Sequence, residues 1–312
     1  MRGSKSLQER ETGIMNIRLI SLPKNTKIPN LALMKLSAWH KAQGDNVSLD
    51  EPDPDKVYIS SPFKNKTNYS YIFPDAKIEY GGYGFNNRML PREIEHIKPD
   101  YSIFDCNYSM GYTTRGCIRS CGFCIVPNME GTITKWAHPE EFYDQEHDSI
   151  MLLDNNWLAI PKWFKETSKW ILDQDLKVFE GGMDIRLVNE KNIDRIRELR
   201  IEPIYKFAFD NSNITETIIE KLALLKEHGF NLKKEVSFYV YLDSDQDFEN
   251  ALQRCKILKE QGTNSFVMFN IEKKRTHRIK LLQRWANRRW HYWACSFENY
   301  IDSYKRSSDR IL

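Results

Sequence analysis

Three of the chain's six cysteines fall within eight residues, Cys117-Ile-Arg-Ser-Cys121-Gly-Phe-Cys124. Thiolates gathered on so short a loop serve iron–sulfur clusters or zinc, because small gaps let one loop wrap one inorganic centre. The two outcomes part at the fourth ligand. A structural zinc site borrows a distant Cys or His, and zinc motifs tend to come as two paired knuckles. No second knuckle exists, since Cys106, Cys255 and Cys295 stand alone. Cys255 falls in the apolar stripe Phe248, Ala251, Leu252, Cys255, Leu258 of a helix, where a free thiol packs as a small hydrophobe. Three ligands without a fourth leave one metal an open position for chemistry. The iron–sulfur reading is therefore preferred, with zinc as its rival.

The rest of the chain bounds what can surround that loop. With 312 residues there is room for one large or two modest domains. An apolar share of 41% supplies a core, and 29% charged residues supply a polar surface. A net charge of +3 demands no polyanionic partner. No apolar run approaches the roughly 20 residues that span a bilayer, so no membrane partner is expected. The opening Met1-Arg-Gly-Ser-Lys-Ser-Leu-Gln-Glu-Arg-Glu has no apolar signal-peptide core. Reduced thiols in a cluster motif argue for a cytoplasmic location.

Residues 1–14 read as a disordered extension. From 15 to 108 strands and helices alternate: a strand over Asn16–Ser21, a helix from Pro29 closed by Gly44, and strands near Asn46–Leu49, Val57–Ser60, Lys77–Tyr80 and Tyr101–Asp105. This predicts a small Rossmann-like α/β domain with a covered parallel sheet. From 109 to 272 strand candidates begin near Ser149, Lys177, Ile204, Val236 and Ser265, about 30 residues apart, which is the length of one βα unit. With Gly111–Arg115 as the first strand there are six units, which predicts barrel or doubly wound architecture. Residues 273–312 read as a basic C-terminal helix and tail.

The spacing C-x3-C-x2-C, with the aromatic Phe123 directly before the last cysteine, resembles the signature of the radical S-adenosylmethionine superfamily. That resemblance implies a partial, six-stranded (β/α)6 TIM-like barrel with the cysteine loop after strand one. It also implies a [4Fe–4S] cluster on Cys117, Cys121 and Cys124, with the free iron chelating S-adenosylmethionine. Phe123 is then expected against the adenine. Asp154-Asn155-Asn156 stands where the family hydrogen-bonds the methionine amine. Glu180-Gly181-Gly182-Met183-Asp184-Ile185-Arg186 resembles a third-strand segment near the cofactor, with Arg186 suited to the cofactor carboxylate or to an ion pair with Asp184 or Glu180. Asp210, Tyr241 and Asn270, on or just after the later strands, complete the expected cofactor contacts. The rival for such residues is helix capping, which accounts for Asp243 and for Asn211.

The family's activity is reductive cleavage of S-adenosylmethionine to a 5′-deoxyadenosyl radical that takes hydrogen from a substrate, with flavodoxin or ferredoxin as reductant. The substrate stays open. The first domain resembles the cobalamin-binding-type domain of one branch, but the Asp-x-His-x-x-Gly motif is absent and no cobalamin is expected. A cobalamin-dependent methyltransferase and a non-catalytic, metal-stabilised RNA-binding protein are the alternatives. The latter draws on Lys273–Trp293, which holds eight Lys/Arg and no acid, with Trp285, Trp290, Tyr292 and Trp293 interleaved. Its rival is an outer helix with Ile279, Leu282, Ala286, Trp290 and Trp293 on one core-facing stripe.

Overall fold

The computed structural model describes residues 13–23, 27–64, 69–70, 72–86, 88–179, 181–270 and 272–308, with side chains as far as 303. The extension expected over 1–14 lies almost wholly outside these residues. The chain forms two compact units, Met1–Tyr112 with Ala137–Ile150, and Thr113–Trp136 with Met151–Leu312.

The first unit is built on four parallel strands, β1 (Asn16–Ser21), β2 (Asn46–Ser48), β3 (Lys56–Ser60) and β4 (Lys77–Gly81), in the order β2-β1-β3-β4. Helix α1 (Leu31–Ala42) starts where the Asn30 carboxamide accepts the Leu33 N–H at 3.3 Å. It stops before Gly44, whose φ of 87° suits a residue without Cβ. Ile17 and Leu19 from β1, Leu33 and Leu36 from α1, Tyr58 and Ile94 form the core. The buried His40 ties α1 to the sheet, with Nδ1 2.6 Å from Asp45 Oδ2 and Nε2 3.0 Å from the Tyr58 hydroxyl. The strand expected over Tyr101–Asp105 is instead a helical turn over Tyr101–Phe104. Asp100 caps it by accepting the Ser102 N–H at 3.2 Å, and local capping of this kind competes with a ladder. Strand β5 (Ser109–Gly111) follows, packed against Phe142.

The second unit begins with β6 (Thr114–Arg115), which pairs antiparallel with β7 (Thr134–Lys135). The single strand expected over Gly111–Arg115 is therefore broken at Tyr112 and Thr113. The cause lies on a distant segment, because Asp154 accepts the N–H groups of both Thr113 and Thr114, so neither N–H donates to a neighbouring strand. Next come β8 (Ser149–Leu152), whose first two residues belong to the first unit, α2 (Pro161–Asp173), β9 (Lys177–Phe179), α3 (Ile193–Glu198) and β10 (Ile201–Glu202), with β8, β9 and β10 side by side in one sheet. A separate parallel sheet holds β11 (Tyr205–Ala208), β12 (Val236–Leu242) and β13 (Asn264–Phe269), linked by α4 (Thr215–Glu227) and α5 (Phe248–Glu260). The expected alternation of strand and helix is present, and its strands run in several parallel sheets. Among the described residues no ladder joins β10 to β11, so the pairing is not one continuous six-stranded ring. Between them stands Pro203, which has no N–H to give.

One face of the second sheet is fully packed, with Phe207, Phe209, Phe238, Val240 and Val267 at 1% exposure or less. The expected basic helix is three helices, α6 (His277–Ala286), α7 (Arg289–Ala294) and α8 (Phe297–Ser308). The first break has a cause in sheet chemistry. The Asn287 carboxamide takes the Val267 N–H at 2.6 Å and donates to the Val267 carbonyl at 3.1 Å, as a neighbouring strand would. The apolar stripe consequently ends at Ala286. Ile279, Leu282, Trp285 and Tyr292 are buried, whereas Trp290 turns out to solvent. No helix among the described residues is long and apolar enough to cross a membrane.

Candidate functional site

The cysteine loop is shaped before it is decorated. Gly116 adopts φ of 80°, and a Cβ there would lie 2.3 Å from the Thr132 carbonyl oxygen, so the position requires glycine. The Gly116 N–H donates to Glu130 Oε2 at 2.9 Å, and Cys117 N–H donates to the Gly131 carbonyl at 3.3 Å. Glu130 also accepts Asn155 Nδ2 at 2.9 Å and pairs with Arg115 at 3.4 Å. Sequence reading missed Glu130, which fastens both ends of this loop to the end of β8. Cys117, Cys121 and Cys124 are all free thiols, Cys121 exposed and the others half-buried.

Two guanidinium groups flank the loop. Arg119, between the first two cysteines, gives its Nε to Asp184 Oδ2 at 2.8 Å, and Arg186 gives its Nε to Asp184 Oδ1 at 2.7 Å. Burial alone would raise Asp184, but these two donors outweigh it and hold the carboxyl below its ordinary range. Desolvation pushes the Cys121 thiol up, helped by Cys124, Asp210 and Cys117, while Arg186 pulls it back down. Arg186 in turn is raised, first by its bond to Asp184 and then by Cys121 and Cys117. Its two Nη groups make no hydrogen bond among the described residues. Arg119 was not anticipated, since its partner lies 65 positions away.

The strand ends sort into groups the protein uses itself and groups left open. Asp154 is buried and accepts four hydrogen bonds from Thr113 and Thr114, at 2.6–2.9 Å. Its burial raises the carboxyl, against the pull of those bonds. Asp154 therefore braces the start of the cysteine loop, and its oxygens face protein. Asn155 faces Glu130. Asn156 accepts the Asp184 N–H at 3.3 Å and points Nδ2 at Cys117 Sγ, 4.0 Å away. Gly182 approaches backbone rather than open space, since a Cβ there would lie 2.5 Å from the Asp154 carbonyl oxygen. Gly181 has φ of 131°. Glu180 lies outside the described residues.

On the second sheet, Asp210 Oδ1 accepts the Tyr241 N–H at 2.8 Å, and burial raises this carboxyl. Tyr241 stacks on Phe123, centroids 4.1 Å apart and planes 18° apart. Its hydroxyl is pushed up to about 12 by desolvation and by Asp243, to which it donates at 3.1 Å. Asn270 donates to Asp243 at 3.0 Å and accepts the Glu272 N–H at 2.9 Å. Asn211 caps the turn after β11, as expected, by accepting the Asn213 N–H at 2.9 Å. The second unit thus holds three thiols, the Arg119 and Arg186 guanidinium groups joined through Asp184, the Asp210 carboxylate and the Phe123–Tyr241 ring pair.

Among the described residues no three His, Cys, Asp or Glu side chains converge as ligands of a single metal ion.

No protein-family model matches the chain. It is similar to the ribosomal protein uS12 methylthiotransferase RimO of Petrotoga mobilis, 25% identical over 277 residues. The match takes in 80% of this chain and 60% of the relative's length. The likeness is a weak link to a radical S-adenosylmethionine superfamily enzyme, and it does not point to the cobalamin-binding branch.

Proposed function

We propose that this chain is a radical S-adenosylmethionine enzyme, with a [4Fe–4S] cluster on Cys117, Cys121 and Cys124. The observation that carries the reading is three free thiols on one braced loop beside Arg186, whose Nη groups are open. The weak methylthiotransferase likeness supports it. The two parallel sheets of the second unit are read as the strands of one partial (β/α)6 barrel. When bound, the cluster would supply one electron at low potential for reductive cleavage of the sulfonium.

This chain's own residues would bind and orient. Arg186 keeps a planar pair of donors for the cofactor carboxylate, and Asp184 fixes its angle. Asp210 offers a carboxylate oxygen to the ammonium. Phe123 and Tyr241 would offer ring faces to the adenine, Asn156 and Gly181 would contact the cofactor, and Gly182 packs on the Asp154 backbone. Asp154, Asn155, Asp184 and Asn270 act by holding the others in place. Glu180 remains a proposed contact from sequence. No cobalamin enters the proposal, because the ligand motif is missing and His40 is engaged by Asp45 and Tyr58. Reduced thiols suit a cytoplasmic protein served by a flavodoxin or ferredoxin. Methylthio transfer to a ribosomal protein, the activity named for the relative, belongs among the reactions to assay.

Anaerobic reconstitution should load about four irons per chain. Adding reductant and S-adenosylmethionine should then release 5′-deoxyadenosine, and Cys121→Ala should abolish both results. A folded wild-type chain that takes up zinc alone, or loads iron and yields no nucleoside, overturns the reading.

A further inference from the structure

Trp290 is 67% exposed, more than any other large hydrophobic side chain among the described residues. Its neighbours in sequence, Trp285 and Tyr292, are fully buried, so the core does not account for it. Its surroundings are cationic. The Arg288 guanidinium lies 5.8 Å from the Trp290 ring centroid. The His291 ring is 5.7 Å away, and its imidazole is lowered by burial, then by Arg288 and Arg284. Arg289 hydrogen-bonds the carbonyls of Lys233 and Lys234. The Lys233 ammonium lies 4.4 Å from the Trp293 ring centroid. Lys233, Lys234, Arg284, Arg288 and Arg289 are all exposed.

Other cations of the same stretch are neutralised locally: Lys273 pairs with Asp243, and Arg278 with Asp245 at 2.6 Å. Arg288 and Arg289 form no ion pair among the described residues. From 273 to 293 the sequence supplies no Asp or Glu to oppose them.

We infer that this surface binds single-stranded RNA, with one base on Trp290 and the phosphates on the surrounding cations. An exposed indole beside a guanidinium group suits a base, which needs one ring face and adjacent positive charge. An anionic membrane would call for a broad apolar face, which the helix from Arg289 to Ala294 does not present. A duplex keeps its bases stacked away from such a ring, whereas RNA loops and ends offer them splayed.

The test is fluorescence anisotropy on the full chain, reconstituted anaerobically, with a labelled mixed-sequence RNA of about 15 nucleotides. Because each phosphate neutralised on a single strand contributes about −0.7, three to five cations predict a log–log salt slope of about −2 to −3.5. Trp290→Ala should weaken binding roughly tenfold with little change of slope, and Trp290→Phe should retain most of it. Replacing Arg288 and Arg289 by Gln should make the slope shallower by about 1.4. Thermal melting checks that each variant folds. If Trp290→Ala does not fold, Trp290→Phe and the Arg pair carry the test. Absence of RNA binding, or binding indifferent to these substitutions, overturns the inference. So does equal or tighter binding of duplex RNA, single-stranded DNA, heparin or anionic vesicles.

Discussion

Asp184 occupies the position on which the candidate site turns. Its two oxygens hold Arg119 and Arg186, one from the cysteine loop and one from the turn after β9. Asp184→Asn removes the charge and leaves one oxygen for two guanidinium groups, at a cost of about 1–3 kcal/mol after allowing for the part-exposed arginines. The folded carboxyl lies below its ordinary value of 3.8, so its contribution is present above that value and fades as pH falls through the lower folded one. The gap in urea midpoint between wild type and Asp184→Asn should therefore be wide at pH 7 and shrink as pH falls below 3.8. A gap unchanged with pH would remove Asp184 from this role. The three cysteines were legible in the sequence because their spacing is itself a ligand pattern. Arg119 and Glu130 were not, since a charge announces its partner only once the fold brings distant segments together. Asp154 was legible as a polar strand end, but the Thr113 and Thr114 donors that engage it belong to another segment.

Elements were legible wherever the hydrophobic period was local. The alternation of β12, buried at every second residue, and the apolar stripe of α5 follow from side-chain geometry alone. The C-terminal stretch shows where that logic stops. Its stripe runs on through Trp290 in helical register, yet the helix ends at Asn287 because that side chain caps β13. Val267 otherwise presents an unpaired N–H at a sheet edge, a template for another strand. Asn287→Ala should lower stability by about 1–3 kcal/mol, since the Val267 N–H loses its acceptor. Gln283 still donates to the Val267 carbonyl at 3.2 Å, so the loss should sit with the N–H. Melting temperature and light scattering check both consequences: the variant should melt earlier and associate on warming. An unaltered melt would mean that water serves Val267 as well as Asn287 does.

At the scale of the whole molecule, the chain crosses between its two units three times, after residues 112, 136 and 150. Neither unit is one continuous stretch, and composition marks none of these crossings, because each is made by specific contacts. Segment 137–150 belongs to the first unit through several of them. The Tyr101 hydroxyl donates to the Phe142 carbonyl, and the Met110 N–H donates to the Tyr101 hydroxyl at 3.0 Å. Ser109 Oγ accepts the Asp144 N–H at 2.8 Å and lies 3.0 Å from His147 Nδ1. The Phe142 ring, 3% exposed, fills the space that a side chain at Gly111 would need. Removing 137–150 would leave Tyr101 and Ser109 without these partners and open the cavity of a buried Phe, worth about 3–5 kcal/mol by itself. A fragment of residues 1–112 should therefore unfold at much lower urea than the full chain's first unit, or fail to fold at all. A fragment of 1–150 restores the missing segment and should recover most of that midpoint, because residues 113–136 can loop out at modest entropic cost. Adding a 137–150 peptide to the shorter fragment should raise its midpoint in proportion to occupancy. Urea titrations of the two fragments read this directly. Equal midpoints for 1–112 and 1–150 would show that the first unit is complete without the returning segment, and that the interleaving carries no stability.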